Sequence, residues 1–534
     1  MMINSDRHDS GDIEHIELDK EISRKKEEGK KEKVPETKWD HLKEEVLEFC
    51  ARTDINAFTK VFEYKNPFAK LAWLVFLFGA LAFTGWVMST GVSDFLQWPV
   101  QSQIGVYFEN PTEFPAVTFC DVNPFTTKES QTVYKNFTDQ YGKTLTKTNE
   151  TISVLKSPGF DILLMAASSY SDDYKKKLGL DITKLKDSHS STFAFCKYNN
   201  TECVNDLHWY WDYEYGNCFQ FNSGLNHSNA AVDLKQTKRP GKTFGLQISA
   251  FPILFGEQGN PNADLYAAGF VVFVHNASLR PLRSEGVFVE RGKETSISVK
   301  RTFISNAYSP YTSCQDLSSY SSFLYNFIIN SPRYSTYRQQ DCFNLCIQVS
   351  IINQCNCTHP AYDNPYGSNS SIKQCIDLDD YYCFDPVING FDSTDCATNS
   401  CPLECESIEY DLSLSSLVNP SFLSLYETGM CNFYKEFCYL SYNYDTGLYD
   451  TYDTNWDNYK NYFVKFNVFY KSLSYTEIDT SPATTTSTLV ANLGGTMSLI
   501  VSVSAFTIVE IVEFTCLMIY ALIFKKSSKV SVAK

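Results

Sequence analysis

Patterns that mark the common catalytic sites are missing from this sequence. It has no P-loop, no H-E-x-x-H pair, no G-x-S-x-G turn and no convincing Cys/His dyad. Histidine is scarce, at 8 residues, and basic charge is outweighed, with a formal net charge of -16. That charge argues against nucleic-acid binding and suits a surface that meets cations. We therefore expect neither an enzyme nor a protein that holds a metal ion or an organic cofactor.

A cleavable signal peptide is also missing, because residues 1–65 are polar and heavily charged. The segment 71–91 is uncharged and apolar, and about 20 such residues cross a bilayer as a helix. We interpret it as a signal anchor. A second apolar segment, 489–524, contains Glu510 and Glu513. A charge near mid-bilayer costs roughly 2.5–3.5 kcal/mol, so these carboxylates are expected to face protein or water.

Lysines flank both apolar segments on the same side of the membrane. They are Lys60, Lys65 and Lys70 before the first segment, and Lys525, Lys526 and Lys529 after the second. By the positive-inside rule, both termini are cytoplasmic. The predicted parts are a cytoplasmic N-terminus at 1–66, a helix at 67–92, an extracellular domain at 93–486, a second helix at 487–524 and a cytoplasmic C-terminus at 525–534.

The placement of cysteine assigns the middle region to the cell exterior. Of 18 cysteines, 16 lie between the apolar segments, while Cys50 and Cys516 do not. An even number confined to one region favours a disulfide framework over zinc clusters. Sequons lie in the same region, and the predicted glycan sites are Asn136, Asn149, Asn199, Asn226, Asn276 and Asn369. Asn356 also matches, but two adjacent cysteines are expected to constrain it.

The extracellular region is predicted to consist mainly of short strands in its first part. The segments 114–119, 244–251, 267–277 and 462–470 alternate or are rich in β-branched and aromatic residues. The tetrapeptide Arg280–Arg283 also lies in strand-like sequence. Helix is predicted within 151–190, and ten cysteines fall in 314–405. The Tyr/Asp/Asn-rich segment 439–462 is interpreted as an exposed insertion.

Four motifs occur in a fixed order along the chain. They are Phe114-Pro115-Ala116-Val117-Thr118-Phe119-Cys120 with Asn123-Pro124-Phe125; Cys342-x3-Cys346-x8-Cys355-x-Cys357; Cys401-Pro402-x-x-Cys405 with Tyr410; and Leu493-Gly494-Gly495-Thr496-Met497, continuing to Ser502-Val503-Ser504 and Glu510-x-x-Glu513. Together they resemble the degenerin/epithelial sodium channel superfamily, which includes acid-sensing and peptide-gated channels. The resemblance runs from about Phe49 to Phe514.

This resemblance implies an α+β membrane protein with two transmembrane helices flanking a large, disulfide-rich, β-based ectodomain. That ectodomain would have palm, β-ball, knuckle, finger and thumb parts, with a helical thumb and finger. It also implies a homo- or heterotrimer in the plasma membrane that conducts Na⁺, with block by amiloride. Two departures stand out. Asn56-Ala57 replaces the usual His-Gly, a pair that the family ties to gating and the inner pore, and Ser502 replaces the usual Gly.

The second apolar segment carries the predicted pore. Small polar residues in three symmetric copies allow a narrow ring that replaces part of an ion's hydration shell, although small residues also serve helix packing in lipid. The selectivity filter is predicted at Ser502, Val503 and Ser504. The pore and gate residues are predicted to be Ala491, Asn492, Gly494, Gly495, Glu510 and Glu513. Ala491 aligns with the position at which bulky residues hold degenerin channels open.

The resemblance also implies a disulfide pairing, which sequence alone leaves open. The implied pairs are Cys120–Cys218, Cys196–Cys203, Cys314–Cys405, Cys342–Cys401, Cys346–Cys396, Cys355–Cys383 and Cys357–Cys375. The remaining Cys431 and Cys438 are expected to form a local bridge. Trp98 and Tyr311 align with an aromatic pair that joins the thumb to the first helix. Trp98 alone also fits an interfacial anchor.

Two other classes of protein remain as alternatives. A two-span surface receptor, or an accessory subunit without a pore of its own, would share the topology. An ATP-gated trimeric channel also has two spans, but it would need a cluster of extracellular lysines that we do not find. The run from Gly494 to Glu513 argues against both. The sequence does not identify the stimulus, and a proton or a peptide is among the extracellular ligands considered.

Overall fold

A computed structural model describes residues 46–50, 53, 59–61, 64–127, 129–130, 132–133, 135–137, 139, 159–180, 194–250, 269–277, 279–318, 320–331, 334, 336–367, 371–418, 440–443, 448–451 and 464–524. Several predicted features lie outside these residues, namely Asn149, Asn369, Cys431, Cys438, the pair Asn56-Ala57 and the segment 525–534. The chain divides into two compact units, one made of 1–99 with 483–534 and the other of 100–482.

The first predicted span is the helix α1, Pro67–Leu96. Asn66 caps it by accepting a hydrogen bond from the Phe68 N–H, and Pro67 stands at the start, where a missing N–H costs nothing. Most of its apolar side chains are exposed, including Phe68 and Val75. Within the described residues, α1 is the single helix long and apolar enough to cross a membrane without a break.

The second unit contains the strands and most of the remaining helices. In chain order they are β1 (Val100–Phe108), β2 (Thr112–Glu113), β3 (Ala116–Asp121), α2 (Gly159–Ser168), α3 (Asp172–Lys175), β4 (Ala194–Tyr198), β5 (Thr201–Glu202), β6 (Leu207–Asp212), β7 (Gly216–Phe221), β8 (Gln236–Thr237), β9 (Leu246–Ala250), β10 (Gly269–His275), β11 (Val287–Glu290), β12 (Lys293–Ser305), α4 (Phe323–Asn330), α5 (Gln339–Cys355), β13 (Cys357–Thr358), β14 (Lys373–Gln374), α6 (Leu378–Asn389), α7 (Ser393–Asn399), β15 (Glu406–Val418), β16 (Leu440–Asn443), β17 (Leu448–Thr451), β18 (Val464–Tyr470) and β19 (Ser474–Pro482).

Two sheets enclose the main core of this unit. The larger has the order β1-β19-β12-β18-β9-β4-β5, with β15 also beside β12, and the smaller has the order β11-β10-β3-β7-β6. The ring of Phe119 in β3 lies 5.9 Å from Phe270 in the same sheet and 5.5 Å from Phe466 in β18 of the larger sheet. All three are essentially fully buried. Strands were predicted at 114–119 and 462–470 from their apolar side chains. The same side chains form the contact between the two sheets.

A helical part packs around two further apolar clusters. One cluster joins α2 to α5 and α6 through Ile162, Met165, Ile351 and Phe384. The other joins α4, α5 and α7 through Ile328, Leu345 and Cys396. The described residues contain seven disulfides, and they pair the cysteines as the family resemblance implies. Each bridge typically contributes about 2–4 kcal/mol, so they reinforce the thin core of the helical part.

The structure corrects one local prediction from the sequence. Arg280–Arg283 is not strand, because β10 ends at His275 and the chain then forms a short 3-10 turn over Arg283–Glu285. Pro281 explains the difference, since it has no N–H to donate to a strand ladder. By contrast, helix at 159–168 and strands at 246–250 and 269–275 agree with prediction. Within the Tyr-rich segment, β16 and β17 pair as an antiparallel hairpin.

Candidate ion pathway

The second apolar segment is two helices rather than the single helix predicted over 487–524. They are α8 (Thr486–Val501) and α9 (Ala505–Phe524), and their axes differ by 76° across the break. Thr485 caps α8 by accepting a hydrogen bond from the Thr488 N–H at 3.1 Å. The break falls on Ser502, Val503 and Ser504, the three residues predicted to form the filter.

Local hydrogen bonds explain why the helix stops at this point. Ser502 adopts the left-handed conformation, with φ of 62°, and its N–H donates to the carbonyls of Met497 and Ser498. Val503 N–H donates to the Met497 carbonyl at 3.3 Å. This is the usual way in which a left-handed residue closes a helix C-terminus. Small or polar residues tolerate that conformation better than β-branched ones, which fits Ser at this position.

Ser504 then starts the next helix. Its hydroxyl accepts a hydrogen bond from the Thr507 N–H at 3.3 Å, and the Thr507 hydroxyl accepts one from the Ser504 N–H at 3.1 Å. Thr507 is fully buried, and nothing in the sequence analysis had singled it out. The sequence signal that could have identified Thr507 is a capping box, in which a Ser and a residue three positions later each accept a hydrogen bond from the other's backbone N–H. The Ser504 hydroxyl is therefore engaged in capping α9.

The helix upstream of the break presents small residues. Ala491, Asn492, Gly494 and Gly495 are all exposed, and a Cβ added at either glycine would meet nothing within 4 Å. Residues 491, 495 and 498 follow the helical repeat, so they share one face. Such a face allows close approach of another helix. The predicted gate residues therefore lie on a surface that the described part of the chain leaves open.

Two carboxylates follow the break on α9. Glu513 is exposed, whereas Glu510 is half-buried and its Oε2 accepts a hydrogen bond from the Thr53 hydroxyl at 3.4 Å. The Phe49 and Phe514 rings stack nearby, with centroids 4.3 Å apart. The segment before the first span therefore contacts the helix that carries Glu510. The sequence offered no signal for Thr53, because 457 positions separate the two partners.

The predicted coupling residues lie in two hydrogen-bonded turns. Trp98 follows the end of α1 with φ of 53°, its N–H donates to the Phe95 carbonyl at 3.1 Å, and its ring lies 5.5 Å from Phe95. Next to it, the Pro99 carbonyl accepts a hydrogen bond from the Ala483 N–H at 2.8 Å, which joins the ends of the two apolar segments. Tyr311 N–H donates to the Tyr308 carbonyl in a turn before Cys314. Coupling between Trp98 and Tyr311 stays a prediction.

A buried arginine in the larger sheet was missed at the sequence level. Along β12, Thr295, Ile297 and Val299 are buried at alternate positions, and Arg301 continues that buried face. Its guanidinium forms an ion pair with Glu109 and lies 4.7 Å from the Phe303 ring and 5.4 Å from the Tyr475 ring. A strand with period-two burial predicts an apolar residue here, so a paired charge is not visible from the pattern.

A cavity of about 920 Å³ lies beside this ion pair. Its walls come from β10, β12, β15 and β19, together with the loop before α5. Carboxylates predominate among its charged groups, which include Glu109, Glu285, Glu409 and Glu477, and Arg338 also lines it. Burial raises the pKa of Glu285, the effect being offset in part by Arg338. Burial also raises the pKa of Tyr410 to about 12.

The described sequons differ in their surroundings. Asn136 and Asn199 are exposed. The Asn226 side chain is half-buried and accepts hydrogen bonds from the Ser228 and Ala230 N–H groups at 2.9 and 3.0 Å. Asn276 is half-buried on the wall of the cavity. Asn356 caps α5 in the left-handed conformation between its two cystines, in keeping with the constraint expected there.

Residues 49–514 match the family model described as amiloride-sensitive sodium channel. The chain belongs to this family. It is thus a sodium channel subunit of the plasma membrane with two spans, and not an enzyme. The degenerin/epithelial sodium channel resemblance is confirmed, as is the predicted class of fold, two spans flanking a disulfide-rich α+β domain. Channels of this family are trimeric.

Individual relatives are distant but match over nearly the whole chain. The bile acid-sensitive ion channel of Homo sapiens is 24% identical over 89% of this chain and 85% of its own length. The epithelial sodium channel subunit gamma of Pan troglodytes is 23% identical over 91% and 81%. Acid-sensing ion channel 1C of Danio rerio is 23% identical over 87% and 82%. A solved structure of a proton-activated chloride channel matches at a TM-score of 0.29 and 6% identity, too low to support an argument.

Proposed function

We propose that the chain forms the pore of a trimeric, sodium-selective, amiloride-sensitive channel, and that the break at Ser502–Ser504 is its selectivity filter. The observation that carries this proposal is the interruption of the second span at three small or polar residues. A helix that ends leaves its last carbonyls without intrahelical partners. Here Met497 and Ser498 are capped by Ser502 and Val503, and the carbonyls of the following residues lie at the break.

Backbone carbonyls, rather than hydroxyls alone, are therefore proposed to contact the ion. A ring of carbonyl dipoles can replace part of the hydration shell of a cation. Because the Ser504 hydroxyl is hydrogen-bonded to Thr507, its first role is to hold the shape of the break. The exposed glycine face of α8 supports close packing of three copies around one axis.

Glu510 and Glu513 are proposed to attract cations on the cytoplasmic side of the filter. Three copies would place up to six carboxylates near the pathway and would repel anions. The hydrogen bond from Thr53 supports this role for Glu510, because it orients a carboxylate that is costly to bury without a partner. Glu513 is exposed on the same helix and has more freedom to meet solvent.

Opening is proposed to follow an extracellular stimulus such as a proton or a peptide. The disulfide-braced helices α5, α6 and α7 support this, because three bridges fasten α5 to α6, to α7 and to the chain before β15, and a fourth joins the chain after α5 to the chain before α6. A braced body of this kind can move as a unit. Protons and peptides remain equal candidates, and a screen of pH steps and neuropeptides on expressed channels separates them.

The test of the filter is a pair of substitutions, Ser502→Cys and Ser504→Cys, studied in oocytes under voltage clamp. We expect both substitutions to change the shift in reversal potential that follows when external Na⁺ is replaced by K⁺. A tenfold change in the ratio of Na⁺ to K⁺ permeability corresponds to roughly 59 mV. Ser487→Cys, at the start of α8, is the matched control and should leave the reversal potential unchanged. Surface biotinylation shows whether each variant reaches the membrane.

Two outcomes would contradict the proposal. Reversal potentials that stay fixed in both filter variants would locate the filter elsewhere. A wild-type chain that reaches the surface but carries no current, alone or with related subunits, under any stimulus would instead indicate an accessory subunit without a pore of its own.

A further inference from the structure

We infer that an N-linked glycan on Asn276 occupies the cavity between β10, β12 and β15. Two independent observations meet at this residue. The sequence Asn276-Ala277-Ser278 is a glycosylation sequon. The structure makes Asn276 part of the wall of the 920 Å³ cavity. A glycan attached there starts at the cavity wall.

The backbone around Asn276 is held in place. Its carbonyl accepts hydrogen bonds from His275 Nδ1 at 2.9 Å and from the Leu279 N–H at 3.3 Å. His275 Nε2 in turn lies 2.8 Å from the Thr118 hydroxyl, and His275 is buried, with its pKa lowered to about 4 by that burial. Ala277 is also buried. The half-buried Asn276 side chain therefore stands between two anchored neighbours, at the edge of the space that the cavity provides.

No hydrogen bond of the Asn276 side-chain amide occurs among the described residues, so its nitrogen is not committed to another group. Asn226 differs, because its amide oxygen holds a tight turn through two backbone N–H groups. Asn136 differs in another way, because it is exposed and does not line this cavity, whereas Asn199 is exposed on the walls of two smaller cavities of about 320 and 340 Å³. Among the described sequons, Asn276 is thus the one whose glycan would start on the wall of the 920 Å³ cavity.

The lining suits a sugar. Phe303, Tyr410 and Tyr475 supply aromatic surface against which the apolar faces of sugar rings can pack. Glu406 and Glu409 supply carboxylates, which are strong acceptors for hydroxyl donors. The volume falls within the range of about 300–1,000 Å³ that holds small-molecule ligands. The first sugars of the Asn276 glycan can therefore be shielded while the outer sugars extend into solvent.

The test is site-resolved release of glycans from the purified full-length channel. Peptide N-glycosidase is applied to the native protein and to the denatured protein, and occupancy at each sequon is read by glycopeptide mass spectrometry. We expect the glycan of the exposed Asn136 to be released from the native protein. Release at Asn276 should be roughly tenfold slower or more, because it requires local opening, and denaturation should abolish the difference.

Matched variants separate glycan occupancy from the amino-acid change. Ser278→Ala should remove the Asn276 glycan, while Ser278→Thr preserves the sequon and should preserve both occupancy and protection. Either of two results would overturn the inference: Asn276 unmodified in protein whose Asn136 is occupied, or Asn276 released from native protein as fast as Asn136. The readout is independent of current, so failure of the proposed ion pathway would leave it unaffected.

Discussion

Removing the charge of Glu109 should destabilise the channel more than removing its partner Arg301. The two side chains form one ion pair but differ in burial, with 8% of the Arg301 side chain exposed against 42% of Glu109. Glu109→Gln leaves a guanidinium buried without its counter-charge. Arg301→Met removes the buried charge and leaves a carboxylate that water can reach. The same ion pair therefore predicts two unequal effects.

The size of the asymmetry follows from the surroundings of Arg301. Loss of one partner from a fully buried pair costs about 3–5 kcal/mol, and an exposed pair contributes about 0–1 kcal/mol. The Phe303 and Tyr475 rings compensate part of the unpaired charge, and cation–π contacts contribute about 0.5–2 kcal/mol. We therefore expect Glu109→Gln to cost about 2 kcal/mol, whereas Arg301→Met should cost about 1 kcal/mol or less.

The assay is thermal unfolding of purified trimers, followed by fluorescence-detected size exclusion. Around 1 kcal/mol shifts Tm by roughly 2–4 °C in a domain of 150–250 residues, and by less in a larger one. Glu109→Gln should therefore lower Tm by several degrees, and the double variant should resemble Arg301→Met. Glu477→Gln, at the same cavity, is the matched control. A larger loss of stability in Arg301→Met than in Glu109→Gln would refute the reasoning.

Two further predictions concern gating and acid stability. Trp98→Ala and Tyr311→Ala should each reduce the response to the stimulus, and the double variant should be little worse than either single variant. An aromatic pair contributes about 0.5–1.5 kcal/mol, and about 1.4 kcal/mol changes the equilibrium constant between closed and open states tenfold. Strictly additive effects would instead indicate that Trp98 is a membrane anchor. His359 is buried against Tyr213 and Phe384, and burial lowers its pKa to about 3. The unfolded chain then binds a proton that the folded chain excludes, so stability falls as pH drops from about 6.5 towards 3. When the pH is lowered from 7.5 to 4.5, the Tm of His359→Gln should fall less than the Tm of the wild type. An equal fall in both would show that other groups cause the loss of stability in acid.

Features of the fold that depend on local pattern were predictable. Residues 71–91 were predicted to span the membrane because every position is uncharged, and the helix α1 includes all of them. The strand at 464–470 was visible because its side chains alternate or are apolar in succession, and β18 forms there. The positions of the cysteines indicated a disulfide framework, and its pairing came from the family resemblance rather than from spacing.

Features that depend on distant partners were not predictable. Arg301 occupies an apolar face because Glu109, 192 positions away, neutralises it. The Thr53 hydroxyl donates a hydrogen bond to Glu510, which lies 457 positions away along the chain. The break in the second span has a local signal, the left-handed Ser502 and the capping by Ser504, but a run of apolar residues on both sides predicts a continuous helix. The pattern in a single sequence shows which face of a helix or strand is apolar, but it does not show which distant residues contact that face.

The most direct test of a pore formed by this chain is the current carried by Ala491→Trp. Ala491 is exposed on the small-residue face of α8, where three copies are proposed to pack most closely in the closed state. A bulky side chain in a tight contact costs roughly 1–3 kcal/mol, and that cost shifts the equilibrium towards the open state. We predict a standing, amiloride-sensitive inward current that disappears when external Na⁺ is replaced by a large organic cation, with Ala491→Ser showing little standing current. No added current in Ala491→Trp at a normal surface level would contradict the account.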